Sequence, residues 1–191
     1  MGESVPHGER RLTRSVVLVG MMGAGKTAIG RALAAELGVE MRDSDAEIVA
    51  SAQLTIAEIF DKYGEAFFRD KEGQVIARLL EGPPCILSTG GGAWLSEANR
   101  TMLTAQACVV WLEADLDLLW ARVKHKTHRP LLRTSDPKAT LAALLEDRTA
   151  AYATAPHRVR VAAHWSIDQT ASAVMDILRD TGTVTSKAPA Q

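Results

Sequence analysis

Short apolar runs alternate along the chain with longer segments in which apolar residues recur at helical spacing. The apolar runs contain few polar residues, as strands do when helices cover both faces of their sheet. They predict strands at residues 16–20, 39–43, 85–89, 108–113 and 159–163. The segments between them predict helices at 26–37, 56–63, 65–80, 97–103, 115–124, 137–152 and 171–179. This alternation predicts a three-layer α/β fold, in which helices flank a five-stranded parallel sheet.

The two ends of the chain lack this pattern. We expect a disordered N-terminal lead-in at 1–14, a single domain at 15–181 and a flexible tail at 182–191. A net charge of −1 over 191 residues gives no general attraction to nucleic acids or anionic membranes. The sequence has no apolar run long enough to span a membrane and no signal-peptide core. We therefore expect a cytoplasmic monomer without nucleic-acid or membrane partners, in which Cys85 and Cys108 are buried thiols.

The first predicted strand leads into a glycine-rich segment that ends at the first predicted helix. This segment, Gly20-x-x-x-x-Gly25-Lys26-Thr27, matches the phosphate-loop pattern in its strand–loop–helix context. Backbone N–H groups and the helix N-terminus attract phosphate there. Lys26 would neutralise the β- and γ-phosphates, and the Thr27 hydroxyl would bind Mg²⁺. The alternative is a glycine-rich turn that matches by chance. The expected nucleotide contacts are Gly23, Ala24, Gly25, Lys26, Thr27 and Ala28. The loop alone could belong to a GTPase, a motor, a transporter subunit or a kinase.

Two aspartates follow the second predicted strand, in Asp43-Ser44-Asp45. Residues two apart on a strand share a face, and parallel sheets bind ligands at the carboxyl ends of their strands. One carboxylate could hold Mg²⁺ through water while the other orients or deprotonates an acceptor hydroxyl. A solvated loop, or a cap by Asp45 on the next helix, is the alternative.

Three glycines, Gly90, Gly91 and Gly92, follow the third predicted strand at the same sheet edge. Their exposed backbone N–H groups suit close contact with a ligand, although a flexible turn would have the same composition. Arg69 and Arg148 lie in predicted helices, and arginine is the side chain that grips carboxylates bidentately. Each could equally be a surface arginine, in the case of Arg69 paired with Glu72 three residues later.

Residues 122–133, RVKHKTHRPLLR, contain five Lys or Arg and two His. An RNA-binding patch, or a metal site at His125 and His128, would use similar residues. Adjacent cations disfavour a metal, and the near-neutral chain without interleaved aromatic residues disfavours nucleic acid. A cationic lid over a triphosphate fits better, with Arg129 as the candidate for stabilising the transferring phosphoryl group.

Taken in order, these motifs resemble the shikimate kinase family of phosphate-loop kinases. The matching stretches are GMMGAGKTAIG at 20–30, DSD at 43–45, GEAFFRDKE at 64–72, STGGGA at 88–93, HRPLL at 128–132 and EDRTAAY at 146–152. The resemblance covers roughly residues 15–180. It implies a phosphate-loop kinase fold with substrate-binding helices at about 45–80 and a lid at about 122–133. It also implies transfer of the ATP γ-phosphoryl group to the 3-hydroxyl of shikimate, on the route to chorismate and aromatic amino acids, with Mg²⁺ as cofactor.

The resemblance further implies roles for individual residues. The catalytic residues would be Lys26, Asp45 and Arg129, with Asp45 holding or deprotonating the acceptor hydroxyl. Arg122, near the adenine, and Arg129 would join the phosphate loop in binding ATP. Mg²⁺ would be held by Thr27 and, through water, by Asp43. Shikimate would be bound by Asp45, Arg69, Gly90, Gly91, Gly92 and Arg148, with both arginines on its carboxylate.

Other interpretations stay open at this point. A related small-molecule kinase, such as a gluconate kinase, would share the fold and the phosphate loop. A catalytically silent nucleotide-binding module would be expected to lack the lysine, the aspartate or the lid arginine, and all three are present. Residues 162–167 do not show the pattern of an adenine loop, so no adenine contact is assigned there.

Overall fold

The central sheet positions the candidate site. A computed structural model of the chain describes residues 10–126 and 130–186. Five parallel strands occur in the spatial order β3 (Met41–Asp43), β4 (Ile86–Ser88), β2 (Ser15–Val19), β5 (Ala107–Glu113) and β6 (His157–Arg160). The central strand β2 is buried along its whole length. The loop that follows it therefore starts from the middle of the sheet edge, and the predicted α/β fold is confirmed.

Helices flank this sheet. They are α1 (Lys26–Leu37), α2 (Ser44–Ala52), α3 (Ile56–Leu80), α4 (Glu97–Gln106), α5 (Leu116–Val123), α6 (Pro137–Tyr152) and α7 (Ile167–Asp180), with short 3₁₀ turns at Ala93–Leu95 and Pro130–Leu132. α1 and α6 occupy the predicted residues. The predicted helices at 56–63 and 65–80 are both present and together make up α3, which is kinked between them at Gly64, where φ is 82°.

Caps explain two of the differences between the predicted and the observed helices. α2 was not predicted, and it begins directly after β3 because the Asp43 side chain accepts hydrogen bonds from the backbone N–H groups of Asp45 and Ala46. α7 begins at residue 167 rather than 171, because Ser166 and Gln169 form a capping box. In each case a short polar side chain satisfies backbone donors that the helix leaves unpaired.

The two ends of the domain are joined, which corrects the prediction of unstructured flanks at residues 10–12 and 184–186. The strand β1 (Arg10–Leu12) pairs antiparallel with β7 (Val184–Ser186). Leu12 is 3% exposed and Val184 is 8% exposed, so the pairing also buries apolar surface. Neither segment is apolar enough to predict a strand by itself, and each supplies the other's hydrogen bonds. Residues 1–9 and 187–191 lie outside the described part of the chain.

Two smaller expectations also meet the structure. Cys85 and Cys108 are buried free thiols, as predicted. Among residues 10–126 and 130–186, none of the helices combines the length and the apolar composition that crossing a membrane requires.

Candidate active site

The phosphate loop connects β2 to α1 at the centre of the sheet edge. Its turn depends on glycine: Gly23 and Gly25 have φ values of 85° and 102°, in the left-handed region that side chains disfavour. Gly25 is also the N-cap residue of α1, so the first N–H groups of that helix face the loop. The loop has the form of an anion site at a helix N-terminus.

The lysine and threonine of the loop are held in defined positions. The Lys26 ammonium donates to the carbonyl oxygens of Gly20 and Met21 at 2.7 and 3.0 Å, which keeps its charge at the mouth of the loop. Thr27 Oγ1 lies 3.2 Å from Asp43 Oδ2 and 3.4 Å from Ser88 Oγ. Three oxygen-bearing side chains from α1, β3 and β4 therefore meet beside the phosphate loop.

The two predicted aspartates do not share the face of a strand. Asp43 ends β3 and caps α2, whereas Asp45 lies in the first turn of α2. The alternative in which Asp45 is the cap is also wrong, because the cap is Asp43. The turn from strand to helix separates the two side chains: Asp43 accepts from Thr27, and Asp45 lines the site from the first turn of α2.

A cavity of about 590 Å³ opens from the phosphate loop. Arg122 of α5 lines it and donates to the carbonyl oxygens of Gly23 and Ala24, both at 3.2 Å. Burial lowers the pKa of this guanidinium. Another wall of this cavity is formed at the start of α7 by Trp165, which precedes the helix, and by Ile167 and Thr170. The sequence analysis missed this wall, although the capping box at Ser166 is a signal that could have located it.

A second cavity, of about 530 Å³, lies between α2, α3, α6 and the glycine run. Phe60 and Phe68 stack at 4.8 Å between ring centroids and form an apolar wall. Its charged lining is Asp45, Arg69, Glu72, Arg133 and Arg148. The two cavities share Met22, Asp45 and Gly91, so they meet at those residues. The candidate Arg129 lies outside the described residues, and the structure does not place it.

Arg69 is held by two carboxylates of its own helix. It donates to Glu72 at 2.8 Å and to Glu65 at 3.1 Å, and its guanidinium lies over the Phe68 ring at 5.1 Å. Glu72 is fully buried, so the surface ion pair considered above is wrong. Burial raises the pKa of Glu72, the Arg69 charge lowers it, and Asp45 raises it further. The second carboxylate oxygen of Glu72 is buried without a hydrogen-bond partner among the described residues.

The glycine run is close to these side chains. A Cβ on Gly90 would lie 2.6 Å from Asp45 Oδ1 and 2.7 Å from Glu72 Oε1. A Cβ on Gly92 would collide with the Arg69 guanidinium. We expected glycine here for its exposed N–H groups. The structure adds a second reason, because the missing Cβ atoms let the charged side chains approach the loop.

Arg148 completes the cluster from α6. It is 6% exposed, so the alternative of a surface arginine is wrong for this residue as well. Its Nη1 lies 3.8 Å from the position of a Cβ on Gly91. One turn later, the buried hydroxyl of Tyr152 donates to the Gly91 carbonyl oxygen. Sequence reasoning gave Tyr152 no role, since a tyrosine in a helix carries no signal for what its hydroxyl will meet.

Within the described part of the chain, no three His, Cys, Asp or Glu side chains form a group able to hold a metal ion. The Thr27 hydroxyl and the Asp43 carboxylate are oxygen donors of the kind that Mg²⁺ takes together with phosphate and water.

Comparison with known proteins places this geometry in context. A family model for shikimate kinase matches residues 22–179. The shikimate kinase of Ruegeria pomeroyi is 56% identical over 176 residues, which cover 92% of this chain and 90% of that protein. The shikimate kinase of Cereibacter sphaeroides is 62% identical over 145 residues, which cover 76% and 73%. The fold matches, with a TM-score of 0.83, a solved structure of shikimate kinase from Acinetobacter baumannii in complex with shikimate. That protein is 35% identical, and the match covers 88% of this chain and 94% of the other.

Proposed function

The chain belongs to the shikimate kinase family, and from that premise we propose that it transfers the γ-phosphoryl group of ATP to the 3-hydroxyl of shikimate. One observation carries the assignment of the two substrates. The phosphate-loop cavity and the second cavity meet at Asp45, so a carboxylate stands where a donor phosphate and an acceptor hydroxyl would face each other. Phosphoryl transfer needs mainly this positioning, together with positive charge around the moving group.

The nucleotide occupies the phosphate-loop cavity. The loop N–H groups and Lys26 hold the phosphates, and Arg122 closes one side by its bonds to the loop carbonyls. The wall formed by Trp165, Ile167 and Thr170 takes the base, because it adds apolar side chains to the lining of the same cavity. Ile167 is 52% exposed, so its side chain offers apolar surface that a flat ligand could cover.

Mg²⁺ fits the oxygen donors beside the loop. Thr27 would bind it directly and Asp43 through water, as the hydroxyl and carboxylate lie within hydrogen-bond distance of each other. Mg²⁺ usually takes one or two protein ligands, with phosphate and water supplying the rest. When bound, the ion neutralises charge on the β- and γ-phosphate oxygens.

The acceptor occupies the second cavity. Its charged residues are suited to a small carboxylated ring: Arg69 and Arg148 offer guanidinium groups, while the Phe60 and Phe68 rings cover an apolar face. Asp45 accepts a hydrogen bond from the hydroxyl that attacks, and so turns its oxygen towards the γ-phosphate. The proposal assigns Arg129 to the lid and to charge stabilisation, from the sequence alone.

We further propose that the enzyme acts as a cytoplasmic monomer without nucleic-acid or membrane partners. Its net charge of −1 gives no general attraction to nucleic acids or anionic membranes. Sedimentation of the purified chain, alone and with duplex DNA or anionic vesicles, tests this part independently of the reaction.

The reaction is tested by ADP release from purified full-length protein with Mg²⁺ and ATP. Separate reactions contain shikimate, quinate, gluconate or no acceptor, and one shikimate reaction contains excess EDTA. We expect sustained turnover with shikimate alone, and its loss with EDTA. Turnover with gluconate instead would indicate a related small-molecule kinase. ATP binding without turnover on any acceptor would indicate a nucleotide-binding module.

A further inference from the structure

Tyr152 stands where three parts of the site meet. It ends α6 and is 1% exposed. Its hydroxyl donates to the Gly91 carbonyl oxygen. The Arg148 guanidinium, one turn earlier on the same helix, is near enough for its charge to lower the pKa of this hydroxyl against the effect of burial. The Met21 sulfur of the phosphate loop lies 3.9 Å from the same oxygen. One hydroxyl therefore lies beside the phosphate loop, the glycine run and an arginine of the acceptor cavity.

The direction of these bonds follows from the chemistry of the groups. A guanidinium only donates and a backbone carbonyl only accepts, so a group that bridges the two must both accept and donate. A hydroxyl can do both: that of Tyr152 donates to Gly91, and its lone pairs are available to the neighbouring Arg148 guanidinium. Burial raises the pKa of Tyr152 to about 12, so the hydroxyl keeps its proton and remains a donor throughout the neutral range.

A second hydrogen bond also connects the end of α6 to the segment that contains the glycine run. The Trp94 indole N–H, beyond the glycine run, donates to the Ala151 carbonyl at the end of α6, at 2.9 Å. Hydrogen bonds therefore run in both directions: Tyr152 of α6 donates to the glycine run, and Trp94 just after the run donates to α6. Arg148 Nε is buried without a hydrogen-bond partner among the described residues, so no hydrogen bond at that atom fixes the rotation of the guanidinium.

We propose that Tyr152 is a positioning residue, which holds Arg148 and the Gly91 peptide in the relative geometry that the acceptor requires. It touches neither substrate and acts through those two groups. The inference rests on the proposed role of Arg148 in binding the acceptor carboxylate. It predicts that loss of the Tyr152 hydroxyl weakens binding of the acceptor and leaves binding of the nucleotide unchanged.

The test is Tyr152→Phe, which removes one oxygen and leaves the buried ring. The Arg148 guanidinium loses a neighbouring acceptor oxygen, so we expect KM for shikimate to rise about tenfold. We expect KM for ATP to stay within about twofold and kcat within about threefold, because the reacting groups are unchanged. Tyr63→Phe is the matched control, since Tyr63 is the chain's other tyrosine and is 47% exposed on α3. It should leave all three constants unchanged, and thermal unfolding should show both variants folded.

A double-mutant cycle with Arg148→Met separates positioning from a general structural role. If Tyr152 acts through the guanidinium, Tyr152→Phe should add little to KM for shikimate once Arg148 is gone. The same tenfold rise in both backgrounds, an equal rise in KM for ATP, or an unchanged KM for shikimate in folded Tyr152→Phe would each overturn the inference. If Arg148→Met alone leaves KM for shikimate unchanged, the carboxylate assignment fails and the inference with it, while phosphorylation of shikimate still stands as measured.

Discussion

The nucleotide side and the acceptor side of the site are built in different ways. The phosphate loop is one continuous stretch, and its ligand groups are backbone N–H groups with Lys26 and Thr27 beside them. The acceptor cavity takes single side chains from α2, α3 and α6 and sets them around a glycine run. Its charges are held by partners that are themselves buried, such as Glu72 and Tyr152.

This difference determines how each half of the site responds to substitutions. A site made of backbone tolerates many surrounding changes, because its geometry follows from a strand, a turn and a helix. A site made of side chains from separate helices depends on each supporting contact, and the loss of one partner leaves a buried charge or donor unpaired. We therefore expect substitutions around the acceptor cavity to separate acceptor binding from nucleotide binding, and the following predictions test that separation.

The largest effect is expected where the two halves meet. Asp45→Asn should lower kcat by about 10²- to 10⁴-fold, because an amide cannot accept the hydroxyl proton. KM for ATP should change less than about threefold, since the phosphate loop is intact. Steady-state kinetics with shikimate measure both. Asp70→Asn is the control, as Asp70 is an exposed aspartate on α3. A near-normal kcat in Asp45→Asn would remove Asp45 from the chemistry.

A smaller effect, confined to the acceptor, is expected from Arg69→Lys. The charge stays, but a lysine cannot bond Glu65, Glu72 and a substrate carboxylate at the same time. We expect KM for shikimate to rise about 10- to 100-fold, with KM for ATP little changed. Arg78→Lys on the same helix is the matched control, because its side chain is 58% exposed. Equal rises in both KM values would contradict the proposed separation of the two halves.

The same contrast explains what the sequence alone could predict. The strands, α1, α6 and the phosphate loop follow from local patterns, because hydrophobic period and glycine spacing act between neighbouring residues. The sequence motifs predicted an acceptor site made of Asp45, Arg69, Arg148 and the glycine run. In the structure these residues line one cavity. That agreement concerns their placement, and their individual roles stay predictions.

What the sequence could not predict depends on contacts between distant segments. The pairing of β1 with β7 joins segments more than 170 residues apart. The supporting roles of Glu72 and Tyr152 depend on burial, which turns an ordinary ion pair or hydroxyl into a fixed contact. The wall at Trp165 and Ile167 faces the nucleotide cavity only because α7 returns to the sheet edge beside the phosphate loop.

Stability measurements on two adjacent glycines sharpen the comparison. A Cβ on Gly90 would press on the Asp45 and Glu72 carboxylates, so Gly90→Ala should destabilise the fold by about 1–3 kcal/mol. A Cβ on Gly91 meets nothing closer than 3.7 Å, so Gly91→Ala should change stability by less than about 0.5 kcal/mol in the absence of ligand. Urea unfolding of the two variants beside the parent protein measures the difference. Equal losses would show that backbone conformation, rather than the crowded carboxylates, requires glycine here.

The smallest expected effect is a pH dependence that differs in sign between two glutamates of α3. Burial and the Asp45 charge hold the pKa of Glu72 above its ordinary value of 4.5, despite the opposing charge of Arg69. The folded state therefore binds that proton more tightly, and the contribution of Glu72 to stability is present below pH 4.5 and is lost as pH rises through the folded pKa. Hydrogen bonds from Thr55 lower the pKa of Glu58, so its contribution is present above the ordinary value and is lost as pH falls.

Urea unfolding across pH, for Glu72→Gln and Glu58→Gln beside the parent, reveals these two contributions. The free energy of unfolding of the parent minus that of Glu72→Gln should fall as pH rises from 4.5, because glutamine carries no titrating proton. The corresponding difference for Glu58→Gln should fall in the opposite direction, as pH drops below 4.5. Slopes of the same sign would mean that the Arg69 charge outweighs burial at Glu72. The acceptor cavity would then contain an ordinary ionised pair rather than a carboxyl whose pKa is raised by burial.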